Sequence, residues 1–244
     1  LPRRDVRLRL GDIDIATSMA SGAWAGFSGD GRAATAMGDL ILLGSELGRA
    51  LRTMADRNID VTAIHNHLVG AEPQLAYVHF HAHGAAVDIA RRIAAVVALT
   101  ATPLPVAAAA AQPLSIDTAR VFRALGPGRA QGSVAQVGVN LVPGRVAIGG
   151  ETVVPAMGYG TPINIQAVTA ERAAATGDFA LLAAQVDPVL DAMAAQNITA
   201  TALHSHLISE TPTIYYIHFW ADGPIDAVLD GLRAAIQAAR GTPQ

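Results

Sequence analysis

The chain contains the same unit twice. Gly38-Asp39 aligns with Gly177-Asp178 at an offset of 139 residues, and no gap is needed from there to Ala95 against Ala234. Matched pairs include Leu42/Leu181, Leu51/Leu190, Met54/Met193, Asn58/Asn197, Ile59/Ile198 and Thr62/Thr201. They continue through His65/His204, His67/His206, Pro73/Pro212, Tyr77/Tyr216, His79/His218 and Phe80/Phe219. Upstream the match persists at an offset one residue shorter, as in Gly11/Gly149 and Met19/Met157. A duplicated unit must bury its apolar face in the same way twice, so any element read in one copy is expected in the other. The organisation expected is a first repeat over residues 1–99, an Ala/Pro linker over 100–113, and a second repeat over 114–244.

Each copy reads the same way. Short strands are expected upstream, at Val6–Ile15, Ala23–Phe27 and Ala33–Leu43 in the first. Leu47, Leu51 and Met54 then recur at helical spacing, as do Val186, Leu190 and Met193. Ser45 suits the N-cap of the first of these helices, and Pro188 the first turn of the second. Two alternating strands follow, Asp60–Leu68 and Leu75–His83, and then a closing helix near Ala85–Ala98. Its counterpart carries Pro224 in its first turn and sets Ile225, Val228, Leu229, Leu232 and Ile236 on one face. The second repeat adds a helix at Ile116–Leu125 and a strand at Ser133–Leu141. Strands alternating with single helices imply an α+β class. Each repeat would be an antiparallel sheet with a helix before and after a histidine-bearing hairpin, the two packed with pseudo-twofold symmetry.

Composition narrows the chemistry. The 17 basic residues, all arginine, face 20 acidic ones for a net charge of −3, with no basic block to hold phosphates, so nucleic acid is excluded as a partner. With no cysteine there is no disulfide, thiolate metal site or thiol nucleophile, and with no lysine no Schiff base or P-loop. The longest apolar run, Ile93 to Ala111, is broken by Pro103 and Pro105, so no transmembrane segment is expected. The sequence begins at Leu1 rather than Met and reads as either a mature product or a shortened chain.

All eight histidines fall in the two hairpins: His65, His67, His79, His81 and His83 in the first, His204, His206 and His218 in the second. Residues i and i+2 of a strand share a face. A hairpin turning symmetrically about Pro73 would set His67 opposite His79 and His65 opposite His81, making one imidazole patch. The opposite face, with Ile64, Val78, Phe80 and Ala82, would be the core. The patch would then look toward solvent, a cleft or the other repeat. Imidazoles on neighbouring strands suit a transition metal: zinc first, with copper or iron as alternatives. Glu72 beside the first turn could complete the ligand set or serve as the general base, and Glu210 holds the comparable place in the second. Trp220 replaces His81 and Asp222 replaces His83, so the second hairpin is expected to be a weaker site or a structural remnant.

Other candidates have plainer readings. Asp39 and Asp178 each follow a glycine at a strand and read first as turn or cap residues. Trp24, Phe27, Tyr77, Tyr216 and Trp220 suit a core or interface as well as a ligand cleft. No serine sits in a GxSxG context.

His65-Asn66-His67-Leu68 with Glu72-Pro73, followed by Tyr77-Val78-His79-Phe80-His81-Ala82-His83-Gly84, resembles the signature of the LppY/LpqO lipoprotein family. The second copy is similar to that family's second repeat, and Met37-Gly38-Asp39-Leu40, Thr176-Gly177-Asp178-Phe179 and Pro155-Ala156-Met157-Gly158 fit as well. The resemblance covers nearly the whole chain. It implies an exported bacterial protein of the periplasm, cell envelope or exterior, and it supplies no reaction. The function expected is metal binding on the first hairpin, with metal-dependent hydrolysis or oxidation as the reaction class. The alternatives are a non-catalytic module that sequesters metal or binds a small molecule, and a structural protein without metal. A homo-oligomer is compatible with either.

Overall fold

The computed structural model describes residues 1–102 and 116–242. Most of the expected linker, from residue 103 onward, lies outside the described residues. In the first repeat a hairpin of β1 (Leu8–Leu10) and β2 (Ile13–Ile15) leads into α1 (Thr17–Ala20). Then come β3 (Trp24–Gly29), β4 (Ala34–Leu43), α2 (Gly44–Asp56), β5 (Asp60–His65), β6 (Leu75–Gly84) and α3 (Ala86–Val97). The second repeat begins with α4 (Thr118–Leu125), β7 (Gly128–Gln131), β8 (Val134–Val139) and the hairpin β9 (Val146–Ile148) and β10 (Glu151–Val153). A 3-10 turn at Pro155–Met157 precedes β11 (Thr161–Ala167), β12 (Arg172–Leu181) and α5 (Ala183–Ala195). It ends with β13 (Thr199–His204), β14 (Glu210–Thr211), β15 (Tyr215–Pro224) and α6 (Ile225–Gly241).

The balanced α+β class is thereby corrected. Among the described residues the fold is mostly β, with 15 strands in four antiparallel sheets and six α-helices. The excess over expectation lies in strands of two to four residues, such as β7, β9, β10 and β14, which are too short to show an alternating pattern. The region expected as one strand, Val6–Ile15, is a hairpin that turns at Gly11, where φ is +59°. The first repeat's main sheet has the order β3-β4-β6-β5. The second runs β11-β12-β15-β13 in the same arrangement and is extended beyond β11 by β8 and β7.

Each main sheet has a helix face and an inner face. On the helix face of the first, Ala36, Leu40, Leu42, Val78, Phe80 and Ala82 form a core with Ile89, Ile93, Val96 and Val97 of α3. The expected core residue Ile64 is instead 48% exposed, because β5 is an edge strand. Helices α2 and α5 start by a shared device. The Glu46 carboxylate accepts the Leu43 N–H at 2.8 Å, and the Gln185 carbonyl accepts the Leu182 N–H at 2.7 Å. That places the first helical residue at Gly44, so Ser45 is not the cap, and Pro188 sits inside α5 rather than in its first turn.

The inner faces meet each other. Gln166 on β11 joins the first repeat's leading segment, accepting the Ala16 N–H at 2.8 Å and donating to Asp14 O at 2.9 Å. Asn164 donates to Met19 O at 3.0 Å, and Gln136 to Ser18 O at 3.0 Å. Arg172 forks between Asp12 of the first repeat and Asp222 of its own. A third core, with Met37 of the first repeat and Val146, Met157, Leu207 and Tyr216 of the second, fills part of the seam.

The glycine before each inner-face aspartate lets the adjacent strand of its own sheet come close. A Cβ on Gly177 would lie 2.0 Å from Pro162 O, and one on Gly38 would lie 2.3 Å from Trp24 O. Gly177→Ala is therefore expected to cost about 2 kcal/mol or more. Gly138→Ala, on a strand with open space around the new Cβ, should stay within about 0.5 kcal/mol of wild type. Urea unfolding of both variants checks the contrast, and equal midpoints would contradict it.

Candidate metal centre

β4 and β6 pair so that Asp39 lies opposite His79, and β12 and β15 pair so that Asp178 lies opposite His218. β5 and β13 end at His65 and His204, and His67 and His206 follow just past the strand ends. A β-bulge between Val61 and Ala63 shifts the hairpin register, and its counterpart lies between Ala200 and Ala202. On the loop side of the bulge His65 pairs with Tyr77, and beyond it His81 pairs with Asp60. The symmetric register about Pro73 does not form, because the connection from His65 to Leu75 is a long loop rather than a tight turn.

The consequence is one cluster drawn from both hairpins. His65 and His204 have ring centroids 4.0 Å apart, His67 and His218 4.0 Å, and His79 and His206 3.8 Å. Each of these contacts crosses between repeats. Within each copy the geometry repeats: His67 stacks on Tyr77 at 3.5 Å and His206 on Tyr216 at 3.7 Å. Each tyrosine hydroxyl donates to a carbonyl of its own leading segment at 2.7 Å, Tyr77 to Ala20 and Tyr216 to Gly158. The tyrosines are thereby fixed plates against which the imidazoles lie.

Three sets of side chains have donor atoms all within 4.8 Å of one another: His65/His204/His206/His218, His65/His67/His79, and His67/Asp178/His218. Many of those atoms are orphans. Asp39 Oδ1, both ring nitrogens of His65, and Nε2 of His67, His79 and His204 are buried without a hydrogen-bond partner. A buried polar atom left unpaired costs about 1–3 kcal/mol, so this concentration calls for a partner such as an ion or ordered water. His218 Nδ1 lies 2.5 Å from Asp178 Oδ1, the carboxylate-behind-imidazole arrangement that orients a ligand.

Burial governs the charge states. It pushes His67 and His206 well below the usual imidazole range, with neighbouring imidazoles adding to the effect. His79 is lowered to about 3, by burial first. His65 and His204 shift down for the same reasons. Burial raises Asp39, and the nearby Asp178 charge raises it further. Neutral imidazoles with free nitrogens are the form that binds metal.

The other expected residues stand apart from this cluster. His81 is half-buried and His83 exposed; the two rings meet edge-on at 4.3 Å, and His83 Nδ1 lies 3.0 Å from Thr35 Oγ1. His81 faces a cavity of about 390 Å³ shared by the repeats, with Met37, Asp60, Thr62, Ile148 and Ile208 among its walls. Glu72 is exposed, and its backbone bridges to Arg9. Glu210 is buried but accepts the Ile214 N–H at 2.9 Å, which ties down its own loop. Trp220 packs against the first repeat's core, and Asp222 is held by Arg172. Asp39 and Asp178, which sequence context reads as turn or cap residues, line the cluster. The signal that could have found them was their repetition beside glycine at the same offset as the histidines.

Residues 1–99 and 119–238 match the family described as Domain of Unknown Function (DUF1259). The chain belongs to that family. Its two matched stretches coincide with the two copies of the repeat. No curated protein matches the chain. Among solved structures it is similar to the ligand-free regulatory subunit of aspartate kinase from Thermus thermophilus. The identity is 13% over 89% of this chain and 97% of that one, with a TM-score of 0.22, too low to carry a conclusion about fold or function.

The charge states give a pH prediction for the metal-free protein. His67, His79 and His206 take up protons far less readily folded than unfolded. Their contribution to stability is complete above about pH 6.5, the unfolded imidazole value, and is lost as pH falls toward the folded value. The loss is about 1.4 kcal/mol per pH unit for each proton involved. Asp39 acts in the opposite sense, since its raised value favours the fold toward acid, but it is one group against three. The urea midpoint should therefore fall steeply between pH 6.5 and 5. A flat profile across that range would contradict the buried, neutral state of the cluster.

Proposed function

We propose that this chain is a metal-binding protein whose transition metal is held between the repeats by His65, His67, His79, His204, His206 and His218. The observation that carries the reading is the convergence of buried, unpartnered imidazole nitrogens at the seam. A cation bound directly by nitrogen would compensate several of these acceptor nitrogens at once. Zinc is the first choice, with copper or iron as alternatives. On this reading the second hairpin is a full contributor, and both repeats, 1–99 and 114–244, supply ligands.

Within that reading, a metal-dependent enzyme acting on a small molecule is favoured over a storage site by the cavity beside His81. His81 lies two residues from His79 on the same face of β6, so a molecule bound there would sit roughly 7 Å along the strand from the centre. Hydrolysis and oxidation both remain within the class. The carboxylates beside the centre are Asp39 and Asp178, and they are better placed than Glu72 or Glu210 for a proton-handling role. An exported, cell-envelope location and membership of the LppY/LpqO group rest on the sequence resemblance. No described helix is long and apolar enough to cross a membrane.

Elemental analysis of untagged protein tests the reading. Wild type should retain at least one equivalent of a transition metal after reconstitution and dialysis. His67→Ala and His206→Ala, one from each repeat, should lower the retained metal to a similar degree. A loss confined to one of them would assign the site to a single hairpin and overturn the shared centre.

A further inference from the structure

We propose that the centre is dinuclear, with His65 bridging two ions through its two ring nitrogens; this rests on the metal-binding reading above. A structural zinc takes about four ligands, and the cluster offers six imidazoles besides Asp39 and Asp178. Two of the three donor sets divide accordingly, and the third, His67/Asp178/His218, spans the seam between them. His65, His67 and His79 form one, and His65, His204, His206 and His218 the other. Each repeat supplies a three-histidine set, and His65 alone belongs to both.

His65 differs from the other ligands in the way a bridge requires. It is the one histidine of the described cluster with both nitrogens buried and unpartnered. Its equivalent, His204, has Nδ1 3.2 Å from Ser205 O, which leaves Nε2 for a single ion. The Asn66 backbone also approaches the His65 ring but forms no hydrogen bond with it, and the Asn66 side chain accepts the Leu68 N–H at 3.1 Å. His65 also sits centrally, with ring centroids 4.9 Å from His67 and His79, 4.0 Å from His204 and 5.0 Å from His206. Binding a second ion at its other nitrogen requires loss of the remaining N–H proton, which leaves to solvent, and the imidazolate formed shares one negative charge between two cations. No electron is transferred, so zinc(II) and copper(II) would both satisfy the site.

The test uses the untagged full chain, stripped of metal and titrated with copper(II). Wild type is expected to bind two equivalents, and the paramagnetic resonance signal of isolated copper(II) should fall several-fold between the first and the second. Calorimetry in two buffers of different ionisation heat should show about one more proton released with the second ion than with the first. His65→Asn should restore an isolated copper signal, with circular dichroism and the thermal midpoint confirming that the variant is folded. Saturation at one equivalent, two uncoupled ions in wild type, or full coupling retained in folded His65→Asn would overturn the bridge. If that variant fails to fold, the wild-type stoichiometry and proton count decide the question. Absence of any copper or zinc uptake would overturn the metal reading itself, a result distinct from the one-ion outcome.

Discussion

Six imidazoles, three buried and three half-buried, gather where two copies of the same sheet face each other, and the rest of the molecule is arranged around them. A charged imidazole in this setting would repel its neighbours and lose its hydration, so the rings stay neutral and their lone pairs need partners. The sheets supply a rigid frame for them. Asp39 and Asp178 stand opposite His79 and His218 in the strand register, and Tyr77 and Tyr216 back the outer imidazoles. Glycines 38 and 177 keep the neighbouring strands close enough for the aspartates to reach inward.

Duplication explains how such a site is built from short segments. Three histidines on one hairpin are a small ligand set; brought face to face with their own copy they enclose a volume from both sides. The copies have since diverged at the edges of the seam rather than in its middle. His81 faces the cavity while Trp220 packs against the opposing repeat's core, and Asp222 has joined the Arg172 ion pair with Asp12. The Glu46 carboxylate, buried with Arg3, corresponds to the neutral Gln185, which donates to Leu141 O and Ala239 O instead. The centre is nearly symmetric and its surroundings are not, so any ligand approaching it meets a different wall on each side.

Much of this was legible in the sequence, for identifiable reasons. The repeat, the amphipathic helices around Leu51 and Ile89, and the long central strands follow from apolar periodicity alone. The grouping of all histidines in equivalent hairpins pointed to a shared chemistry, and one expected orientation of the patch was toward the other repeat. What periodicity could not show was the register. Strand β5 stops at His65, a long loop separates it from β6, and a bulge interrupts β5 itself, so symmetric folding about Pro73 fails and His81 lies beside Asp60 rather than His65. Nor could it show pairing between copies, because contacts such as His79 with His206 join residues far apart in the chain. The short strands that make the fold mostly β are defined by hydrogen bonds to distant partners, not by their own two to four residues.

The most direct measurement of the central claim is X-ray absorption at the metal edge of the untagged full chain after reconstitution. The account predicts a first shell made largely of nitrogen at about 2.0–2.1 Å for zinc, with the outer-shell scattering of at least three imidazoles. A first shell without imidazole scattering, or a protein that retains no metal to measure, would contradict it.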